Sequence, residues 1–240
     1  MVQLDTREWL LTNGLGSFAS GTVSDVRTRT YHGWLFSATN PPSGRRLLLS
    51  HLEASLELPG QVAQLGTNFW ASGQVQPTGY QLLNSFEINP VPRWIWGGEN
   101  WQLTRSLIMP HGYDRTLIQY RYEGKEVATL KLRLLVADRD FHYQQRKTSD
   151  IQFSQQFMQL CTGGQVSWQA IISGSFGTPW NLRWTGGEYR PEEYWYWNYG
   201  LPEETRRGLS DKEDLFTPGY LKVTMQPGDT VTLEARVGFP

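Results

Sequence analysis

Alternation with a period of two runs through this chain, and no long window keeps a helical period. In residues 52–58, Leu52, Ala54, Leu56 and Leu58 alternate with Glu53, Ser55 and Glu57. In 130–136, Leu130, Leu132, Leu134 and Val136 alternate with Lys131 and Arg133. Leu221, Val223 and Met225 share one parity, and so do Val231, Leu233, Ala235 and Val237. Successive side chains on a strand point to opposite faces, so each segment reads as a strand with one face for a core. Gln226-Pro227-Gly228-Asp229 separates the last two, which predicts a hairpin turn joining a paired ribbon. Further strand candidates are 30–38, 46–51, 80–88, 101–108, 115–123, 150–160 and 165–173. Turn signals recur at Asn13-Gly14, Pro41-Pro42-Ser43-Gly44, Gly97-Gly98, Gly163-Gly164 and Gly186-Gly187. The expectation is an all-β fold, a large antiparallel β-sandwich with little helix. The exception is about 175–218, rich in Trp, Gly, Pro and charge and poor in periodicity. It reads as a long loop that is functional or packs against something.

Within that exception lies the run Tyr194, Trp195, Tyr196, Trp197, Asn198, Tyr199. If extended, it puts Trp195, Trp197 and Tyr199 on one face and Tyr194 and Tyr196 on the other. A surface strand should have a polar face, and this one has none. Glu203, Glu204, Arg206 and Arg207 follow at once, the pattern of an apolar patch with a charged rim. Aromatic residues make up 13% of the chain, with 11 Trp. Each Trp belongs either to the core, the more frequent use, or to a surface that stacks flat apolar faces such as sugar rings.

Several classes are excluded. Lys plus Arg is 22 and Asp plus Glu is 23, a net charge of −1. That leaves no basic face for nucleic acid and no cationic excess for an anionic membrane. The single cysteine, Cys161, cannot form an intrachain disulfide and reads as a small buried apolar residue. The first residues, MVQLDTREWLL, lack the pattern of a signal peptide, and no apolar run is long enough to span a membrane. The cytoplasm is the expected compartment.

Local chemistry is sparse. Gly14-Leu15-Gly16-Ser17-Phe18-Ala19 matches the G-x-G-x-x-A form of the dinucleotide fingerprint. That mechanism needs a helix N-terminus after the glycines, and Ser20-Gly21-Thr22-Val23-Ser24 favours turn and strand instead. No cofactor is expected. His32, His51, His111 and His142 have no metal-ligand spacing, so no metal is expected either. Carboxylates pair up at Asp138 with Asp140, Glu192 with Glu193, Glu203 with Glu204, and Asp211 with Glu213 and Asp214. Neighbours in sequence do not set a distance across a cleft, and each pair reads as solvated charge. There is no G-x-S-x-G elbow. No catalytic residue is identified.

Three segments go further. Residues 8–35, EWLLTNGLGSFASGTVSDVRTRTYHGWL, and residues 195–219, WYWNYGLPEETRRGLSDKEDLFTPG, resemble the two signatures of the N-terminal domain of bacterial and archaeal-type glycogen debranching enzymes, the amylo-α-1,6-glucosidase family. VADRDFHY, 136–143, resembles a shorter element between them. Ser17 departs from the pattern, standing where glycine is common.

The resemblance implies a β domain similar to the galactose-mutarotase-like supersandwich, joined in family members to a C-terminal α/α toroid that carries the acid and base. Residues 1–240 are then expected to be the single N-terminal domain without the toroid, since the chain stops at ARVGFP. The expected partners are that toroid in cis and, weakly, α-glucan. Asn13, Arg29, Tyr31, His32, Arg139, Asp140 and His142 are polar candidates, either close to substrate or structural. If 27–34 is extended, Arg27, Arg29 and Tyr31 share one face and Thr28, Thr30, His32 and Trp34 the other. Trp195, Trp197, Tyr199, Glu203, Glu204 and Arg206 are the candidates for the docking face. Two alternatives stand beside this reading. One is a free-standing carbohydrate-binding module using exposed Trp and Tyr, and the other is a mutarotase-like epimerase, which needs a general acid and base beside one sugar ring.

Overall fold

The computed structural model describes residues 3–41, 43–162, 165–174 and 177–238, with the side chains of 159–169, 171 and 173 outside the description. The turn at Gly163-Gly164, the Pro42 position and the burial of Cys161 fall outside it. Two eight-stranded antiparallel sheets pack as a sandwich. The first sheet orders Glu8–Thr12, Phe18–Thr22, Gly33–Asn40, Gly44–Leu58, Ala128–Asp140, Lys212–Met225 and Glu188–Gly200, with Gln61–Gln64 added beside Gly44–Leu58. The second orders Phe153–Thr162, Gln165–Gly174, Trp180–Trp184, Thr230–Val237, Arg115–Gly124, Trp101–Ile108, Arg93–Gly97 and Leu83–Glu87. A small hairpin, Thr67–Phe69 with Val75–Thr78, forms its own ladder and is bridged to the first sheet at Trp70 and Tyr199. Among the described residues no helix is long and apolar enough to cross a membrane.

The period-two pattern places the core. Leu52, Ala54, Leu56, Leu130, Leu132, Leu134, Leu221 and Val223 face inward from the first sheet. Leu103, Leu107, Ile118, Leu182, Val231 and Leu233 meet them from the second. Most tryptophans are core residues, among them Trp9, Trp94, Trp96 and Trp180. Inside this core Arg105 is bonded twice to Asp25, at 2.7 Å each, and boxed by Trp94, Trp34 and Trp96 at 4.0, 4.5 and 4.9 Å. The box fixes the turn at Asp25, whose φ is +68°.

Three expectations are corrected. The segments ending at Met225 and starting at Thr230 are both strands, but they do not pair: the first joins Ala128–Asp140 and the second joins Arg115–Gly124. The turn between them crosses from one sheet to the other. It is stitched to the second sheet by Tyr122 N–H on Asp229 O (2.9 Å) and Gly228 N–H on Tyr122 O (2.8 Å). Residues 175–218 are not a long loop. They hold Trp180–Trp184, the edge strand Glu188–Gly200, the short helix Pro202–Arg206 and the start of Lys212–Met225. Register shifts at Pro191–Tyr194 and Tyr196–Tyr199 break the alternation there and hide the strand. Finally, 27–32 is a turn rather than a strand, closed by His32 N–H on Arg29 O (3.1 Å), so its residues do not sort into two faces.

Candidate functional site

Three separate segments meet at one end of the first sheet's outer side: residues 28–32, 139–145 and 203–214. Glu213, fully buried, is the hub. It accepts from Arg27 Nη2, from Arg139 Nε and from the Gln145 N–H at 3.2 Å. Burial alone would raise its pKa, but the guanidiniums of Arg139 and Arg27 hold it at about 2. Arg139 also donates to Thr30 O at 2.8 Å, tying the middle segment to the first. Glu204 ties in the third: its Oε1 accepts the Thr30 N–H (3.0 Å) and its Oε2 pairs with Arg207 (3.1 Å). The Glu203 N–H donates back to Thr28 O at 3.0 Å. The expectation of solvated carboxylates is overturned for Asp138, Glu204, Glu213 and Asp214, all at most 2% exposed. Each is compensated by an arginine: Arg46, Arg207, Arg27 with Arg139, and Arg146, respectively.

The polar candidates separate. Asn13 is enclosed and fully used, donating to Tyr113 O (3.0 Å) and Asp114 Oδ1 (2.7 Å) and accepting from Leu15 and Ser17 N–H. Ser17 is equally engaged, donating to Asp114 Oδ1 (2.6 Å) and accepting from Ala38 N–H (2.9 Å). Gly14 and Gly16, at φ +79° and +100°, turn the chain into strand Phe18–Thr22, where a dinucleotide would need a helix. His32 is buried. Its Nδ1 accepts the Thr28 N–H (3.0 Å), so the proton sits on Nε2, 3.2 Å from Glu8 Oε1. Burial lowers its pKa, and His32 with Arg29 brings Glu8 down to about 2. Arg29 is half-buried between Glu8 and Glu203. Tyr31 and His142 line the accessible part, with ring centroids 6.3 Å apart, and Asp140 holds His142 Nδ1 at 3.0 Å. They border a cleft of about 240 Å³ whose other walls include Tyr143, Glu204 and Arg207. A larger depression of about 650 Å³ lies elsewhere, by the 185–188 turn. Glu188 and Arg190 there pair with each other, and no segment of the hub reaches it.

The aromatic run does not follow simple alternation. Trp195 points into the sandwich against Phe153 and Phe216. An extra residue between Tyr196 and Tyr199 then flips the parity, with Asn198 at φ +61° and its N–H held by Asp214 Oδ1 at 2.8 Å. Tyr199 therefore joins Tyr196 and Tyr194 on the outer side. It is buried there, stacked under Trp70 with centroids 4.6 Å apart. Of the six docking candidates, Trp197 (52% exposed) and Arg206 reach solvent freely, and Glu203 does so in part. Trp195 lies beside Trp197 with centroids 6.2 Å apart, whereas Tyr199 packs under Trp70 and Glu204 is held by Thr30 and Arg207.

Sequence reasoning missed a second group on the same side. Glu53 and Arg133 are cross-strand partners there, and Arg133 lies 4.9 Å from the Tyr194 ring and 5.2 Å from Tyr220. Their signal was only that they occupy the polar parity of two core strands, which usually means solvent. Among the described residues no three His, Cys, Asp or Glu side chains gather as metal ligands.

Comparison with known proteins agrees with the three segments. The family model described as glycogen debranching enzyme N terminal matches residues 7–232. No curated protein matches the chain.

Proposed function

The chain belongs to the glycogen debranching enzyme N-terminal family, and from that premise we propose that it docks on a C-terminal catalytic domain and helps shape its cleft. Residues 1–240 act in this reading as one non-catalytic β domain, and the bond cleaved by the whole enzyme is the α-1,6-glucosidic linkage of glycogen. The observation that carries the reading is the meeting of 28–32, 139–145 and 203–214 over a rigid charged base. Arg206 stands out beside that base, Trp197 is exposed on the strand Glu188–Gly200 that leads into it, and aromatic residues with arginine dominate protein interfaces. The chemistry supports a non-catalytic role. Glycoside hydrolysis needs two carboxyls at a set separation, one of them protonated near neutral pH. Here the hub carboxylates Glu204, Glu213 and Asp214 are each bound to arginine, and Glu213 is too acidic to lend a proton. The epimerase reading loses support because both nitrogens of His32 are engaged.

The test joins this chain to its catalytic domain. Trp197→Ala is expected to weaken the association about tenfold, measured by titrating the separated domains. This chain alone is expected to release no glucose from a branched glucan. Unchanged association would remove the docking role. Turnover by the isolated chain that Glu203→Gln abolishes would defeat the non-catalytic reading.

A further inference from the structure

Away from the docking end, the outer side of the first sheet opens to solvent across a row of rings. Trp70 and Tyr196 are near-parallel, 21° apart with centroids at 6.4 Å. Tyr194 follows at 5.0 Å, its hydroxyl 2.8 Å from that of Tyr196. Polar groups border the row. Arg133 gives Nη2 to Glu192, while its Nη1 is enclosed with no partner among the described residues. Glu53 accepts from Asn68 Nδ2 on one oxygen, and burial raises its pKa. Arg133 and Lys131 stand against Glu53 and Glu192, so the patch carries little net charge.

These features select a ligand chemistry. A pyranose offers an apolar C–H face and a rim of hydroxyls that both donate and accept. Flat aromatic faces bury the first, and a carboxylate beside a guanidinium meets the second. The balance of charge disfavours an anionic ligand such as a phosphate. We propose that Trp70, Tyr196 and Tyr194, with Glu53 and Arg133, form a stacking subsite for a linear α-glucan segment, separate from the docking end. The choice of glucan among neutral sugars rests on the family reading. The rings and the polar pair do not.

Titration of this chain with maltoheptaose, followed by the Trp70 indole signal in NMR, tests the proposal. Saturable binding with Kd of about 1–10 mM is expected, since one open wall buries a ligand only partly. Tyr194→Ala should weaken it about tenfold and Glu53→Gln about fivefold, because stacking and hydrogen bonding each contribute on that scale. Tyr113→Ala, another exposed tyrosine, should leave it unchanged. No saturation below about 50 mM, or equal losses from Tyr113→Ala and Tyr194→Ala, would overturn the subsite. So would a Tyr194→Ala defect confined to association with the catalytic domain, which would make the row a protein contact. The docking reading is tested without sugar, through Trp197→Ala, so the two can fail separately.

Discussion

The two sheets of this sandwich turn very different outer faces to the surroundings. The second sheet's is ordinary: Gln119 sits across from Thr232, Gln102 bonds Glu123, and Arg115 pairs with Glu234 at 2.9 Å. Such residues stay hydrated and leave the core to the inner face. The first sheet's outer side changes along its length. At one end Lys222 and Glu57 form a loose exposed pair at 3.6 Å. Next comes the ring row with Glu53 and Arg133. Beyond it Leu47, Leu135, Leu215 and Tyr199 make a second small core, and Arg27, Arg139 and Glu213 lie buried beside it. A fold needs only one hydrophobic face per sheet. Burial of charge on the other face is costly, and it is retained where it holds a specific arrangement in place.

The sharpest way to break this comparison is at the hub. Glu213→Ala leaves two guanidiniums enclosed without their carboxylate. Removing one partner of a buried ion pair costs about 3–5 kcal/mol, so urea unfolding should lose most of the domain's stability. A loss below about 1 kcal/mol would make the hub equivalent to a surface pair and cancel the contrast.

Acid provides the next test. His51 is buried, and burial together with Arg27 lowers its pKa to about 3. His32 is lowered by burial as well, and Glu213 and Glu8 are held at about 2. All four have folded values below the unfolded ones, so the unfolded chain takes up protons first as pH falls. Their stabilisation is complete above about pH 6.5 and is lost downward, through the histidines first and the carboxylates between about 4.5 and 2. The stability that these four groups contribute should therefore rise with pH from 3 to 6.5. His51→Gln should flatten the upper part of that slope, while Gln119→Ala on the second sheet should leave it intact. A slope that His51→Gln does not change would remove His51 from this account.

How much of this could be read in the sequence follows from what alternation encodes. Leu52, Leu130 and Leu221 announce the inner face because burial there needs only apolar side chains at every second position. The outer side of the first sheet obeys no such rule. Glu213 and Asp138 look like any solvated acids until segments distant in sequence bring Arg27, Arg139 and Arg46 to them. Tyr199 changes face because of one extra residue, and nothing local to the run Tyr194–Tyr199 marks that bulge except Asn198, a residue that tolerates positive φ. The turn at Gln226–Asp229 was legible as a turn. Its partners were not, since strand pairing is decided by which sheet each face can bury against. The meeting of 28–32, 139–145 and 203–214 was accessible only through resemblance: Arg139, His32 and Glu204 are polar residues of unrelated spacing, and their convergence is a property of the fold.

The smallest effect compares two ion pairs on the two outer faces. Arg115 and Glu234 are partly exposed, at 30% and 19% of their side-chain surface, and Arg115 also lies 4.6 Å over the Tyr113 ring. Water screens such a pair, and ordering two long side chains offsets much of its attraction. A double-mutant cycle with Arg115→Ala and Glu234→Ala should therefore return a coupling of about 0.2–1 kcal/mol, falling further in about 1 M salt, where the screening length shrinks to about 3 Å. The matching cycle at Arg139 and Glu213 should return several times more and respond little to salt, because no ions enter between groups that are at most 4% exposed. If the two couplings and their salt responses agree, burial of the hub carries no special energetic weight, and the first sheet's outer side is distinguished by its composition alone.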